Sequence, residues 1–347
     1  MMNFSPDRRI ELTVCGRAGI DLNTTAVGQT FGEIPSFTKS VGGSPANIVQ
    51  GAAKLGLKTG FIGKVSRDGM GEYILEVFRN RGIDTSGIVI DQTGANNCLA
   101  LTEIISAEQN GAYAATGDAF HHGTYLYRGN TADTLITPAD ISEELIASSA
   151  SIMVSGTAFS QSPSREAMFE ILRLAKKHGV LTVIDLDYRP FGWKSKEETA
   201  ECYERATASC DIIIGNREEF NAVEYVSMPD NRDNEKSARE TLLKGASLVI
   251  VKDGARGSWG YTADKPVVRC PAIPTKAIKN FGSGDAFAAG LMFGILRKKE
   301  LLYAMRLGSA CASIMLTKIS CSEDMPDYET AETYREAHFA EEKNEVE

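Results

Sequence analysis

Within this chain of 347 residues, the segment best suited to chemistry is Gly282-Ser283-Gly284-Asp285. Its small residues permit a tight turn that leaves backbone N–H groups pointing outward. The run behind it, Ala286-Phe287-Ala288-Ala289-Gly290-Leu291-Met292-Phe293-Gly294-Ile295-Leu296, is mainly apolar and predicts a buried helix. A helix N-terminus offers unpaired amides and the positive end of a dipole, so a phosphate is favoured there. Asp285 stands at the edge of that nest, where its carboxylate would repel a bound phosphate. The conflict disappears if Asp285 accepts a proton from a group attacking that phosphate. Phosphoryl transfer is the chemistry predicted, since it depends mainly on positioning and charge stabilisation. Asp285 is then the catalytic base, and amides around Phe281, Gly282, Ser283 and Gly284 form the anion hole.

Further polar residues fall at the expected carboxyl ends of strands, where open parallel sheets collect their ligands. Asp21 follows the first strand, and Gly42-Gly43 with Asn47 bracket a turn into a helix. Asp185, Asp187 and Arg189 follow Leu181–Ile184. Asn216 and Glu219 follow Ile212–Ile214, and Lys252 with Gly254 follows Leu248–Val251. Asn216 and Glu219, three apart at a helix start, share one face and could hold Mg²⁺ directly or through its water shell. Taken alone, the same pair also fits a helix cap beside a solvated glutamate. Arg128 and Arg189 could clamp a carboxylate through paired, charge-assisted hydrogen bonds. Each could equally serve a surface ion pair or a nucleotide phosphate. His121 and His122 read as exposed loop residues or as substrate contacts. With 4 His and dispersed Cys, no transition-metal site is expected.

These residues need a frame, and the chain supplies an alternating one. Strands are expected at Leu12–Gly16, Thr59–Val65, Ser151–Ser155, Leu181–Asp185, Ile212–Gly215 and Leu248–Val251. Helices are expected at Asn47–Leu55, Gly71–Arg81, Arg165–Lys177, Glu197–Ala208 and Ser237–Lys244. Short aliphatic strands alternating with amphipathic helices predict an α/β fold with a mainly parallel central sheet. Two regions break the rhythm. Thr24–Ser40 is rich in short extended pieces, and Asn97–Ile105 and Gly111–Thr116 read as strands joined by a polar turn. Together they predict a small β-sheet lid, with segments at about 22–40 and 94–128. Residues 225–236 read as a polar surface loop, and Glu323–Glu347 as an acidic, solvated helix. One domain over 10–325 with a tail at 326–347 is expected.

Composition narrows the partners. Against 37 basic residues stand 46 acidic ones, a net charge of −9 that disfavours nucleic acid while allowing a local basic pocket. No apolar run reaches the roughly 20 residues needed to cross a bilayer. The 7 cysteines are scattered, which suits buried thiols in a reducing compartment. The polar N-terminus shows no secretory signal, so a cytoplasmic protein without membrane or nucleic-acid partners is expected.

Gly282-Ser283-Gly284-Asp285, together with Gly42-Gly43-Ser44-Pro45-Ala46-Asn47, resembles the two signatures of the ribokinase-like (PfkB) carbohydrate kinases. The likeness extends through Gly56-Leu57, Gly63, Asp68-Gly69, Gly71, Gly82-Ile83, Asn216–Glu219 and Lys252-Asp253-Gly254-Ala255-Arg256-Gly257, covering roughly residues 10–325. The resemblance implies a three-layer ribokinase-like fold and an ATP- and Mg²⁺-dependent sugar kinase. It also implies Asp285 as base, sugar-binding roles for Asp21, Gly42, Gly43 and Asn47, and a metal-organising segment at Asn216–Glu219. Nucleotide contacts would come from Asn216, Lys252, Gly254, Gly257 and the region of Ser309. A homodimer through the lid face is a further possibility it raises.

Two departures stand out. Family members commonly carry an acidic residue three before the first glycine of the later signature, helping to hold a monovalent cation; here it is Lys279. Cation dependence is therefore open, with an ammonium available to replace the ion. Ile319-Ser320-Cys321 lacks the Gly-Ala pair often found near the adenine pocket.

Within the family, the constellation is most similar to members that phosphorylate the terminal hydroxyl of 5-dehydro-2-deoxy-D-gluconate in myo-inositol catabolism. An acid sugar is thus the expected partner, with 2-dehydro-3-deoxygluconate and fructose as alternative substrates. A non-catalytic sugar- or nucleotide-binding regulator is the competing class. A dinucleotide oxidoreductase is disfavoured because residues 14–21 hold no GxGxxG.

Overall fold

Runs such as Ile152-Met153-Val154, Ile212-Ile213-Ile214 and Leu248-Val249-Ile250-Val251 are apolar at every position and fully buried. A strand of that kind is stable only when both faces of its sheet are covered. The computed structural model shows this arrangement, and it describes residues 5, 7–104, 123–190, 192–279 and 281–339. Strands β1 (Ile10–Cys15), β4 (Thr59–Val65), β5 (Asp84–Ile90), β8 (Ser149–Ser155), β9 (Leu181–Asp185), β10 (Ile212–Asn216) and β11 (Leu248–Lys252) run parallel. Strands β12 (Ser258–Tyr261) and β13 (Val268–Cys270) continue the sheet antiparallel, giving the order β13-β12-β11-β10-β9-β8-β1-β4-β5.

Alternate residues of each strand enter different cores. Val14, Met153, Val183, Ile214 and Ile250 join one cluster with helices Ser44–Lys54, Ser283–Leu296 and Leu301–Leu316. Ile152, Val154, Ile184, Ile213 and Val249 join the other, with helices Ser164–Lys177 and Lys196–Thr207. The result is three layers, as the alternating sequence requires.

The Ser283–Leu296 helix is buried from Ala286 through Leu296. Small residues let its neighbours come close. A Cβ on Gly290 would lie 2.8 Å from Gly308 Cα, and one on Gly51 would lie 3.0 Å from Ala289 Cβ. These contacts seat it between the Leu301–Leu316 and Ser44–Lys54 helices and fix the relative height of their N-termini.

A second sheet has the order β3-β2-β6-β7, from β3 (Phe37–Gly42), β2 (Gly19–Val27), β6 (Leu99–Ile104) and β7 (Thr124–Tyr127). Its central pair β2–β6 is parallel, which local alternation in the sequence could not reveal. Asp21 lies inside β2. The strand expected at Gly111–Thr116, its preceding turn, His121 and His122 lie outside the described residues.

Two expectations need revision. The loop expected over 225–236 stops at Asp233, whose carboxylate caps the Asn234–Leu243 helix by accepting from Glu235 and Lys236 N–H at 2.9 and 3.2 Å. The acidic C-terminal helix spans Tyr328–Phe339 among described residues and packs on the Leu301–Leu316 helix with Ala331 buried, so one face is not solvated. Residues 340–347 lie outside the described residues. All 7 cysteines are buried thiols. No helix among the described residues is long and apolar enough to cross a membrane.

Candidate active site

Two helices begin after glycines held in left-handed backbone conformations, Gly43 at φ 100° and Gly282 at φ 80°. Neither has a side-chain cap, so first-turn amides remain open, apart from Pro45, which has no N–H. The two N-termini face each other across Asp285. Ser44 Oγ donates to Asp285 Oδ1 at 2.7 Å, and Asn47 Nδ2 donates to Oδ2 at 2.7 Å. The two sequence signatures thus meet at one carboxylate. Burial pushes the Asp285 carboxyl up to about 6, and the negative Asp187 adds to this, while the bonds from Asn47 and Ser44 oppose it. A carboxylate held there is a stronger base than a solvated one and still ionised near neutrality.

Opposite the nest stands Lys252, whose Nζ would lie 3.5 Å from a Cβ on Gly284. The ammonium thus stands in van der Waals reach of the helix N-terminus. Lys252 comes from the end of β11 and pairs with Asp185, at the end of β9, at 3.3 Å. Burial favours neutral Lys252, but Asp185 and Glu219 outweigh it and keep the ammonium charged. Amides, dipole and ammonium together form a cradle for a polyanion.

Asn216 and Glu219 form a reciprocal capping box. Asn216 Oδ1 accepts from Glu219 N–H at 2.9 Å, and Glu219 Oε2 accepts from Asn216 N–H at 2.6 Å. The spacing that suggested a metal segment is here occupied by a helix cap. With its oxygen in the cap, the Asn216 amide has its NH₂ left as a donor, and Glu219 has Oε1 left as an acceptor. Burial raises the Glu219 pKa, against the pull of Lys252.

Beyond β11, Gly254 (φ 54°) faces open space and Gly257 (φ 96°) packs against Cys270, where a Cβ would lie 2.1 Å from the carbonyl oxygen. Ser309 is buried on the Leu301–Leu316 helix near the Cys270 thiol.

On the other side of Asp285, Asp21 packs against Gly42 so closely that a Cβ there would fall 2.0 Å from its carboxylate. Burial raises the Asp21 carboxyl to about 6, with Arg17 opposing and Asp285 reinforcing the shift. Asn47 Oδ1 is buried without a partner, a free acceptor beside the base. The arginines offered as a clamp already have partners. Arg128 pairs with Asp133 at 2.8 Å and donates to Thr157 O at 3.2 Å, while Arg189 pairs with Asp187 at 2.9 Å. Thr157 Oγ1 donates to Asp187 at 3.2 Å, linking the two sets.

Sequence reasoning passed over Arg17 and Ser44 as site residues. Arg17 is 8% exposed, donates to Cys98 Sγ at 3.2 Å and has a buried Nε with no partner. Asp133 and Asp187 act on it electrostatically. Its signal was one long cation among small residues, Gly16-Arg17-Ala18-Gly19.

A cavity of about 720 Å³ opens at the opposite, amino ends of the strands, between Lys176, Gly179, Thr182, Asp211 and Lys244. Its carboxylate, Asp211, is taken up by Thr182 N–H and Oγ1 at 2.8 and 2.7 Å. Both bonds fall on Asp211 Oδ2, and none of the candidate site residues singled out in the sequence lines this cavity.

Two helix N-termini meeting at a buried carboxylate, with an ammonium-lined anion cradle on one side, agree with the comparison to family models. Residues 9–328 match the model described as "pfkB family carbohydrate kinase". The chain belongs to this family and is a carbohydrate kinase. Among curated relatives, the 5-dehydro-2-deoxygluconokinase of Geobacillus kaustophilus is 41% identical over 335 residues, covering 96% of each chain. The 5-dehydro-2-deoxygluconokinase of Bacillus subtilis is 40% identical over 334 residues, 96% of this chain and 98% of its own. An E. coli structure described as a putative Ribokinase II with ATP and Mg²⁺ shares the fold, with a TM-score of 0.81 at 19% identity, covering 95% of this chain and 100% of the other.

Proposed function

We propose that this kinase transfers the γ-phosphoryl group of ATP to the terminal hydroxyl of 5-dehydro-2-deoxy-D-gluconate, a step of myo-inositol catabolism. The observation that carries the reaction is the Asp285 carboxylate, gripped by Ser44 and Asn47 beside the open amides of Ser283 and Gly284. The sugar oxygen attacks the γ-phosphorus as the bond to the β-γ bridging oxygen breaks, its electrons leaving with ADP. The hydroxyl proton passes to Asp285. The amides after Gly282, with Lys252, stabilise the charge on the moving phosphoryl group.

Mg²⁺, when bound with the nucleotide, neutralises the phosphate charge. The residues that suit it are Glu219, through Oε1 and a water, and Asn216, whose NH₂ suits a phosphate or water oxygen rather than the metal itself. Gly254 and Gly257 give the nucleotide backbone-level access, and Ser309 flanks that region.

The substrate reading rests on the relatives' names and on the polar groups around Asp21. Asn47 Oδ1 is an unfilled acceptor for a hydroxyl, and Arg17 Nε an unfilled donor. Arg17, with Arg128 and Arg189 behind it, supplies the positive charge a sugar carboxylate needs; Asp21 and the Gly42-Gly43 backbone hold hydroxyls. Residues 10–325 act as one kinase domain, with segments 22–40, 94–104 and 123–128 covering the sugar as a lid and the Tyr328–Phe339 helix following as a packed extension; residues 105–122 and 340–347 lie outside the described residues. Closure excludes water, which would otherwise hydrolyse ATP.

A panel of sugars with ATP and Mg²⁺, read by phosphorylated product, tests the substrate. The acid keto-deoxy sugar should be used best, 2-dehydro-3-deoxygluconate less well, and fructose poorly. Equal or better use of fructose contradicts the acid-sugar assignment.

A further inference from the structure

Lys279 is 7% exposed, and its ammonium is enclosed by three acceptors. Nζ donates to Ile319 O at 3.1 Å, Ser320 O at 2.8 Å and Cys321 Sγ at 3.4 Å, and sits 4.5 Å from the Phe281 ring centroid. An ammonium has three protons, and here each has an acceptor. Two inward-turned carbonyls and a ring face concentrate negative potential at a point that attracts a small monovalent cation. A tethered side chain supplies that cation here.

Its position gives the charge a purpose. Lys279 lies three positions before Gly282 and the anion hole. The loop it grips packs under that segment: a Cβ on Gly282 would lie 2.9 Å from Cys321 Sγ. Ser322, next in that loop, donates to Val41 O at 2.7 Å, just ahead of Gly42-Gly43. One ammonium therefore ties the base of the anion hole, the C-terminal loop and the sugar-side turn into one unit. A carboxylate at position 279 would meet two carbonyl oxygens and require an added cation; lysine removes that requirement.

We infer that Lys279 is a built-in monovalent cation, a positioning residue that shapes the anion hole and frees the kinase from dependence on potassium. The inference rests on the kinase reading above, but one readout does not require turnover. Initial rates and thermal midpoints are measured for the wild type in KCl, NaCl and tetramethylammonium chloride at equal ionic strength. Rates within twofold and midpoints within 1–2 °C are expected. Activation by potassium of tenfold or more, or a midpoint that rises only with potassium, overturns the proposal.

Lys279→Met supplies the converse. Its turnover should fall at least tenfold, mainly in kcat, and both rate and midpoint should recover partly in potassium or ammonium but not in tetramethylammonium. Wild-type rates from Lys279→Met in every salt would overturn the proposal, as would a loss that no small cation restores. If Lys279→Met does not fold, the wild-type salt series still decides. A wild type inactive on every sugar would defeat the substrate reading alone, because the midpoints still report on Lys279.

Discussion

Asn47 Nδ2 lies 2.7 Å from Asp285 Oδ2, joining residues 238 positions apart in the chain. Each belongs to the first turn of a helix that starts after a glycine at positive φ, so two buried helices set the backbone positions of the pair. The bond orients the Asp285 carboxylate, and it also lowers its basicity. Burial and Asp187 act the other way and prevail.

That balance predicts a pH profile. With Asp285 at about 6, kcat/KM should fall roughly tenfold per unit well below pH 6 and level off above pH 7. Asp187→Asn removes a negative neighbour and should move the acid limb to lower pH. Asn47→Ala removes a bond to the ionised form and should move it higher. A limb that neither substitution shifts would assign the titration to another group.

The same shift has a consequence for stability. The folded carboxyl is raised from 3.8 to about 6, so the fold favours the protonated form. This favourable contribution is complete below about pH 4 and is lost as pH rises through 6. Asp285→Asn should therefore melt no lower than wild type at pH 8, with any deficit confined to acid. The check is a pair of melting curves at pH 4 and pH 8; a large loss in Tm at pH 8 counts against the electrostatic account.

Lys252 pairs with the buried Asp185 and also compensates Glu219, so removing the ammonium leaves buried carboxylates without their cation. Lys252→Met should cost about 3–5 kcal/mol of stability and at least 100-fold in kcat/KM. Adding Asp185→Leu should restore much of the stability and none of the activity, as read by denaturant unfolding and initial rates. Recovery of activity in the double variant would remove Lys252 from phosphate stabilisation.

Arg17→Met should raise KM for the acid sugar about tenfold or more while leaving fructose turnover nearly unchanged. Side-by-side Michaelis curves for the two sugars measure this. Equal losses on both would make Arg17 a structural residue of the β1–β2 connection.

The alternation of strands and helices was readable because aliphatic runs such as Ile212–Ile214 and amphipathic ones such as Arg165–Lys177 carry opposite periodicities. Thr59–Val65 and Leu181–Asp185 fall where they were expected, to the residue. The parallel pairing of β2 with β6 was not readable, since partners such as Asn23 and Thr102 lie 79 positions apart and register between distant strands leaves no local mark. Asp285 was visible from the tension between its charge and its place at a helix start. Arg17 was not, because burial decides its meaning and a single arginine between glycines gives no periodicity to read. The Asn216–Glu219 capping box shows a different limit: the spacing that suggested a metal segment is also the spacing of a cap, and the structure uses it as one.

The most direct test of the central claim is single-turnover phosphoryl transfer from ATP to 5-dehydro-2-deoxy-D-gluconate by wild type and Asp285→Asn, with ATP affinity measured on the same preparations. A loss of about 100- to 10,000-fold in the transfer rate with ATP affinity nearly unchanged is predicted. Transfer by Asp285→Asn at a rate close to wild type would show that Asp285 does not take the proton.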